Sequence, residues 1–314
     1  MIAAVRLFLF GTARLEAFLA VVAALTLVAW QGFVGLQASG LTLDPNCILI
    51  VAETCDFETV ARRQALLADS VTLQLVGLGI VIGIGVLLGT TAIATEIESG
   101  TVQTAWWLDP RRSRWFLARV LALGSVAFAL VLVLAVVSHW FQSVRQPYFD
   151  PGASFDGYRL RGAVLLGTGL GAFAVSLFFG SLVGRTLPAI VLAVATTLGL
   201  VGLAHIVVFP NLAERVLLVA DPRAPASPDE ILEERYEAPD GTILTLAAAR
   251  GASPVDTSKQ DFWDWLTTTF RSVPFGYPGS SYWTVALREF ALWVVASLGL
   301  AAAAWLVVRR RRPS

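Results

Sequence analysis

Apolar positions along the chain gather into six blocks, residues 17–36, 71–93, 115–137, 163–183, 187–209 and 290–308, none with an internal acidic residue. A helix rising ~1.5 Å per residue needs about 20 residues to cross a hydrocarbon layer of roughly 30 Å, and these blocks have that length. Strand alternation is absent from them, and irregular backbone in lipid would leave peptide groups unpaired. Each block therefore predicts a transmembrane helix, and the fold class expected is all-α, a polytopic membrane protein with six spans.

Arginine placement orients the spans, because cations near helix ends are retained on the cytoplasmic side. One side carries Arg6, Arg14, Arg111, Arg112, Arg114, Arg119, Arg185 and the run Arg309, Arg310, Arg311 and Arg312, against Glu16, Glu96, Glu98 and Asp109. The other side holds the remaining twelve basic and nineteen acidic residues, so a formal net charge of zero conceals a strong transverse asymmetry. Both termini are expected in the cytoplasm (N-in/C-in), with Arg159 and Arg161 weakening the rule locally. Four stretches follow: an interfacial amphipathic helix at 1–14, spans one to five over 15–209, an extracytoplasmic segment at 210–288, and the sixth span with a basic tail at 289–314. At 1–14, Val5, Leu7, Leu9 and Phe10 stand with Arg6 and Arg14, which fits a helix lying in the interface or a frayed end. The first apolar run is too long for a secretory signal and no small-x-small cleavage site follows it, so an uncleaved span is expected.

Outside the membrane, Cys47 and Cys55 share the first outer loop and are expected to close a disulfide on the oxidising side. Without a nearby histidine they make a poor metal site, and none is expected. Pro222, Pro225 and Pro228 precede an acidic run, residues 229–237, read as a short helix. Phe262, Trp263 and Trp265 alternate with Asp261 and Asp264; the stretch suits either the water–lipid boundary or the core of a small outer domain.

Composition narrows the function. With 56% hydrophobic and 15% charged residues and a mean hydropathy of +0.70, a soluble enzyme, a secreted disulfide scaffold and a disordered tail are excluded. The neutral total excludes a nucleic-acid binder. The single lysine, Lys259, follows no glycine-rich loop, so this chain hydrolyses no ATP alone and no cofactor is expected in it. No HExxH stands in the sequence, and neither His139 nor His205 has a plausible nucleophile beside it; both read as water-facing interfacial residues. Ion coupling is disfavoured, since His205 is the one ionisable group inside the blocks away from their ends. Glycines at 77, 79, 83, 85 and 89 and at 162, 167, 169, 171, 180 and 184 mark close helix approach, within the chain or with a second copy.

The densest signal lies between the second and third blocks. Glu96 and Glu98 end one span, Gly100 permits a sharp turn, and Thr101 to Leu108 can form two helical turns that Pro110 ends before Arg111, Arg112 and Arg114. Val102, Ala105 and Trp106 would share one face, and Trp106 and Trp107 offer rigid contact area suited to a protein groove or the headgroup layer. Glu96 and Glu98 are expected to clamp onto Arg112, Arg114 or Arg119; headgroup binding by the arginines is the competing reading.

This segment resembles the permease subunit of ABC-2 type transporters, particularly the actinobacterial-type group. The likeness rests on Glu96, Glu98, Gly100-Thr101, Trp106-Trp107 and the run Arg111 to Trp115. Ser39-Gly40 before Cys47 and Cys55, and the stretch Tyr277 to Trp283 before Glu289, extend it; Asp109-Pro110 departs from it. The resemblance implies a type V exporter-like permease whose residues 98–110 form a coupling helix that docks into a separate ATP-hydrolysing subunit. Gly100, Thr101, Val102, Ala105, Trp106 and Trp107 would form that contact. Two ATPase copies carrying ATP and Mg, and a second permease copy or paralogue, would complete the pump in a bacterial plasma membrane. An interior poor in charge suggests an amphipathic or lipid-like cargo, with Gln74, Thr196 and Thr197 as isolated polar contacts on its path. Competing classes are an ATPase-driven mechanical transducer acting on an outer partner, and a membrane-anchored enzyme, which the missing catalytic groups disfavour.

Overall fold

The computed structural model describes residues 13–41, 56–102, 112–147, 150–218, 230–254 and 260–311. The stretch 1–12 and both cysteines lie outside the described residues. Among the described residues six helices are long and apolar enough to cross a membrane: Leu15–Ser39, Phe57–Glu98, Arg112–Arg145, Gly162–Val183, Thr186–Leu212 and Gly279–Arg310. In finer division they are α1 (Ala13–Ser39), α2 (Phe57–Leu67), α3 (Ser70–Thr91), α4 (Ala94–Glu98), α5 (Arg112–Arg145), α6 (Gly162–Val183), α7 (Thr186–Leu203), a π-helical turn (Ala204–Val208) and α8 (Phe209–Leu212). Most of these helices run past the apolar blocks. The 34 residues of α5 exceed the ~20 that hydrocarbon requires, and its polar ends are held by protein contacts instead of lipid.

The centre of the bundle is α6, packed by α3, α5, α7 and the final span. Its most apolar window is 72% buried, against 17% for that of α7, as expected of a helix apolar all round. Glycines let its neighbours close on it: a Cβ on Gly85 would lie 2.6 Å from the Gly169 carbonyl oxygen, and the Trp293 ring lies over Gly167 and Gly171. Ser176 Oγ donates to the Gly85 carbonyl across that crossing (3.1 Å). The glycine faces of α3 and α6 at these positions are thus spent within the chain. Large apolar side chains such as Phe18, Leu121, Leu132 and Val295 stand exposed on the outside of the bundle, where lipid would cover them.

Between α8 and the last span lies a four-stranded antiparallel sheet, β1 (Val216–Leu217), β2 (Glu230–Glu237), β3 (Ile243–Thr245) and β4 (Arg271–Tyr277), in the order β1-β4-β2-β3. It is accompanied by α9 (Leu246–Gly251) and α10 (Gln260–Thr269). The acidic run expected to be helical is therefore a strand. A helix would stack Glu230 on Glu234 and Glu233 on Glu237 at repulsive i,i+4 spacing. Pairing with β3 and β4 instead turns Tyr236 onto Ala249, Phe262 and Leu266, the small core of this unit. Phe262 and Leu266 are buried and Trp263 is exposed, so the aromatic run of α10 chiefly packs the sheet.

The final span, α11 (Tyr282–Arg310), starts well before the apolar block at 290 and encloses Glu289, 1% exposed. The expectation that His205 is the one ionisable group inside the spans away from their ends therefore does not hold, since Glu289 is buried two turns into this helix. The apolar block at 290–308 begins one residue after Glu289, so a count of ionisable groups inside the blocks leaves it out, yet the helix is continuous from Tyr282.

Candidate functional site

Polar residues converge at both ends of the bundle, the arginine-rich face and the sheet-bearing face. At the arginine-rich face α3 breaks at Ala92-Ile93 and resumes as α4. Gly100 then adopts φ +73°, a conformation glycine reaches at no steric cost, and Thr101 and Val102 begin a new helix with Val102 buried. Ala105, Trp106 and Trp107 lie outside the described residues.

The base of this turn is fixed on two sides. Glu96 forms an ion pair with Arg119 of α5, both side chains 18% exposed, and the Arg119 guanidinium lies over the Trp115 ring at 5.3 Å. Glu98 turns to α7 and accepts hydrogen bonds from Thr186 N (2.8 Å) and Thr186 Oγ1 (2.5 Å). A helix leaves its first N–H groups without intrahelical partners and favours a carboxylate there. Arg185, the residue preceding α7, gives no side-chain cap of its own, so Glu98 caps α7 from 88 positions away in sequence.

Of the arginines expected near these acids, the structure brings only Arg119 onto Glu96. Arg112 donates to the Arg311 carbonyl (2.5 Å), and Arg311 in turn donates to the Ser181 carbonyl in the last turn of α6 (2.9 Å), where a cation meets the negative end of the helix dipole. Arg114 is exposed.

The sheet-bearing face holds a buried network that the sequence reading did not assemble. Residues 150–161, the connector between α5 and α6, carry two short 3-10 turns, Pro151–Ala153 and Tyr158–Leu160. Arg159 Nη1 donates to Glu289 Oε1 (2.9 Å), and its Nη2 donates to the Ala204 carbonyl in the π turn (2.9 Å). The Tyr158 hydroxyl donates to Glu289 Oε2 (3.1 Å); burial, then the carboxylate beside it, push its pKa far up, so the hydroxyl keeps its proton. Arg161, fully buried, donates to the carbonyls of Pro151 (2.6 Å), Ser154 (2.6 Å) and Asp156 (3.1 Å) and lies 4.5 Å above the Tyr282 ring. Its Nη1 also meets His139 Nδ1 at 3.2 Å, and since a guanidinium has no acceptor the imidazole must accept. His139 is therefore half-buried in the protein, not a water-facing residue as expected, whereas His205 is exposed. Burial lowers the pKa of Arg161, but a guanidinium stays charged regardless.

The polar residues expected along a cargo path separate. Gln74 is buried in this network: its Nε2 donates to Gln142 Oε1 (2.9 Å) and its Oε1 accepts from Arg145 Nη1 (3.0 Å). Arg145 also pairs with Asp156 (2.6 Å). Thr197 is fully buried on α7, its hydroxyl without a partner among the described residues, and Thr196 is half-buried beside it. Among the described residues no group of three or more His, Cys, Asp or Glu is placed to hold a metal.

The family described as ABC-2 membrane transporter related matches residues 16–208, the first five spans and the turns between them. No curated protein and no solved structure matches the chain. With six spans, a polar turn at one face and a family match over more than half its length, the chain belongs to the ABC-2 membrane transporter related family, as a multi-pass permease component of an ABC transporter whose ATPase is a separate partner.

Proposed function

We propose that the chain is one of two permeases of an exporter that moves an amphipathic or lipid-like compound out of the cytoplasm. The second permease is another copy or a paralogue, and two ATPase subunits drive the pair. Arginine distribution supports placing both termini and the Gly100 turn in the cytoplasm, with the sheet outside. The observation that carries the reading is the construction of the Gly100 turn. A glycine hinge opens a helix directly beyond two glutamates bound to different spans, Glu96 to α5 and Glu98 to α7. A partner pressing on residues 100–107, including Trp106 and Trp107, would act on both spans at once, while the arginines bind headgroups or helix ends. The apolar outer surfaces of α3 and α7, with Leu75, Val76, Val191 and Leu198 exposed, suit an apolar cargo better than a sugar or a free ion.

The test is co-purification with the ATPase subunit from membranes. Wild type should retain the ATPase, and deletion of residues 100–108 or the double change Trp106→Ala, Trp107→Ala should release it while the permease stays membrane-inserted. Undiminished ATPase retention in both variants would refute the docking assignment.

The folded unit of β1–β4, α9 and α10, with its own core at Tyr236, Phe262 and Leu266, favours a second reading. In that reading ATP hydrolysis moves this unit against an outer partner and nothing crosses. ATPase activity in vesicles stimulated by an outer protein, and by no compound of a lipid-like panel, would select it.

A further inference from the structure

The helix α7 is held differently from the other spans. Along its length only Ala189, Ala193 and Thr197 are buried, a single stripe of small side chains at i, i+4 and i+8. Beside the stripe Ile190, Val194 and Leu200 are only partly buried against the cluster of Ile82, Val86, Ala172 and Val175, and small sliding of packed helices is one of the established ways domains move. Its ends, by contrast, are tied. At the arginine-rich face Glu98 accepts from both Thr186 N and Thr186 Oγ1. At the other face Arg159 donates to the Ala204 carbonyl of the π turn, and Phe209, next along the chain, packs on Phe155, Tyr158 and Tyr277 at centroid distances of 5.0–5.7 Å. The Arg159 guanidinium that grips this turn is the one paired with Glu289 of α11. A π turn is a local rearrangement of the helix ladder, often found where a helix does functional work.

We propose that α7 is the transmission strut of the transporter. Displacement of the segment beyond Gly100 pulls on Glu98, Glu98 drags the N-terminus of α7, and α7 slides on its small-residue stripe. The motion is delivered to the connector and to α11 through the Arg159, Ala204 and Glu289 junction. Glu98 and Thr186 are positioning residues in this scheme; they touch no nucleotide and no cargo. The proposal rests on the docking of an ATPase at residues 100–107.

Hydrogen–deuterium exchange on the permease–ATPase complex in nanodiscs tests it, comparing nucleotide-free complex with complex trapped by Mg-ATP and vanadate. Wild type should show nucleotide-dependent exchange at residues 96–102 and at 204–209. Glu98→Ala should keep the first response and reduce the second by about threefold or more. Thr186→Val, which keeps the N–H and loses the hydroxyl, should fall between, and Thr186→Ser should match wild type, a graded order that a purely structural role would not produce in a nucleotide-dependent difference. If Glu98→Ala yields no folded complex, Glu98→Gln, which keeps an acceptor oxygen, and Thr186→Val carry the comparison. A response at 96–102 with none at 204–209, or a response at 204–209 that survives these changes, overturns the strut alone. Absence of any response at 96–102 in wild type sinks the docking reading and the strut with it.

Discussion

The two ends of the helix bundle use most of their arginines in opposite ways. At the arginine-rich face Arg119 is enclosed with Glu96, but Arg112 and Arg311 are half-exposed and each donates to carbonyls at a helix end, Arg311 at α6 and Arg112 at α11. Such contacts compete with water and are screened by salt. At the sheet-bearing face Arg161 is completely buried with three carbonyls, an imidazole and an aromatic ring around it, and Arg159 joins three separate elements. There no water replaces a lost partner, so each missing contact costs its full desolvation penalty. One chemical group thus makes a yielding end and a welded end in the same molecule. Under the proposed docking of an ATPase at the Gly100 turn, force would enter at the more exposed face and a defined shape would be kept at the buried one.

The largest effect that could break this comparison is at Arg161. Arg161→Ala strands the Pro151, Ser154 and Asp156 carbonyls and empties a buried volume, and should cost about 3–5 kcal/mol. It should show as a steep drop in the unfolding midpoint of the purified protein. Arg161→Lys should recover only part, because one ammonium has three donors and no planar fork. A midpoint unchanged by Arg161→Ala would mean that the connector is not welded.

The Glu289 pair should come next. Removing the carboxylate by Glu289→Ala leaves Arg159 uncompensated in a dry site and should cost about 3 kcal/mol or more. The double change Arg159→Met, Glu289→Leu removes both charges and should be markedly less destabilising than the sum of the single changes. Strict additivity in that thermodynamic cycle would show that the two side chains do not act as a unit.

What could be read from sequence divides along the same line. The spans were legible because lipid imposes one length and one composition on each, and a glycine hinge after Glu96 and Glu98 needed no partner to be recognised. Their ends were not, since polar turns such as Tyr282 to Glu289 are supported by long-range protein contacts that no local pattern encodes. The signal that could have found Glu289 was present: Arg159 and Arg161 stand against the charge rule on the sheet-bearing side, and cations placed there call for a buried acceptor. The strand at Glu230–Glu237 was missed for another reason. Its acidic residues mask the strand pattern, and the signal for it lies further on, at Pro239-Asp240-Gly241, a turn signature that closes β2 onto β3 with Gly241 at φ +81°. Glu98 was recognised as important and given the wrong kind of neighbour, because capping of a helix by a distant carboxylate leaves no trace in spacing.

The smallest effect is the one that sharpens the comparison most. Arg311→Ala removes a guanidinium from the C-terminal turn of α6 but leaves the Arg311 carbonyl that Arg112 uses. The lost interaction is between a charge and a helix end at a half-exposed site, worth about 0.3–1 kcal/mol at low ionic strength. It should shrink further as salt rises and the screening length falls below about 10 Å. Thermal unfolding of Arg311→Ala at low and high salt, beside Arg161→Ala under the same conditions, separates the two cases. The Arg311 difference should fade with salt and the Arg161 difference should persist, because a fully buried cation is out of reach of counterions. If instead Arg311→Ala matches Arg161→Ala in size and is insensitive to salt, the arginine-rich face is as rigid as the opposite one, and the proposed movement of that face by an ATPase loses its basis.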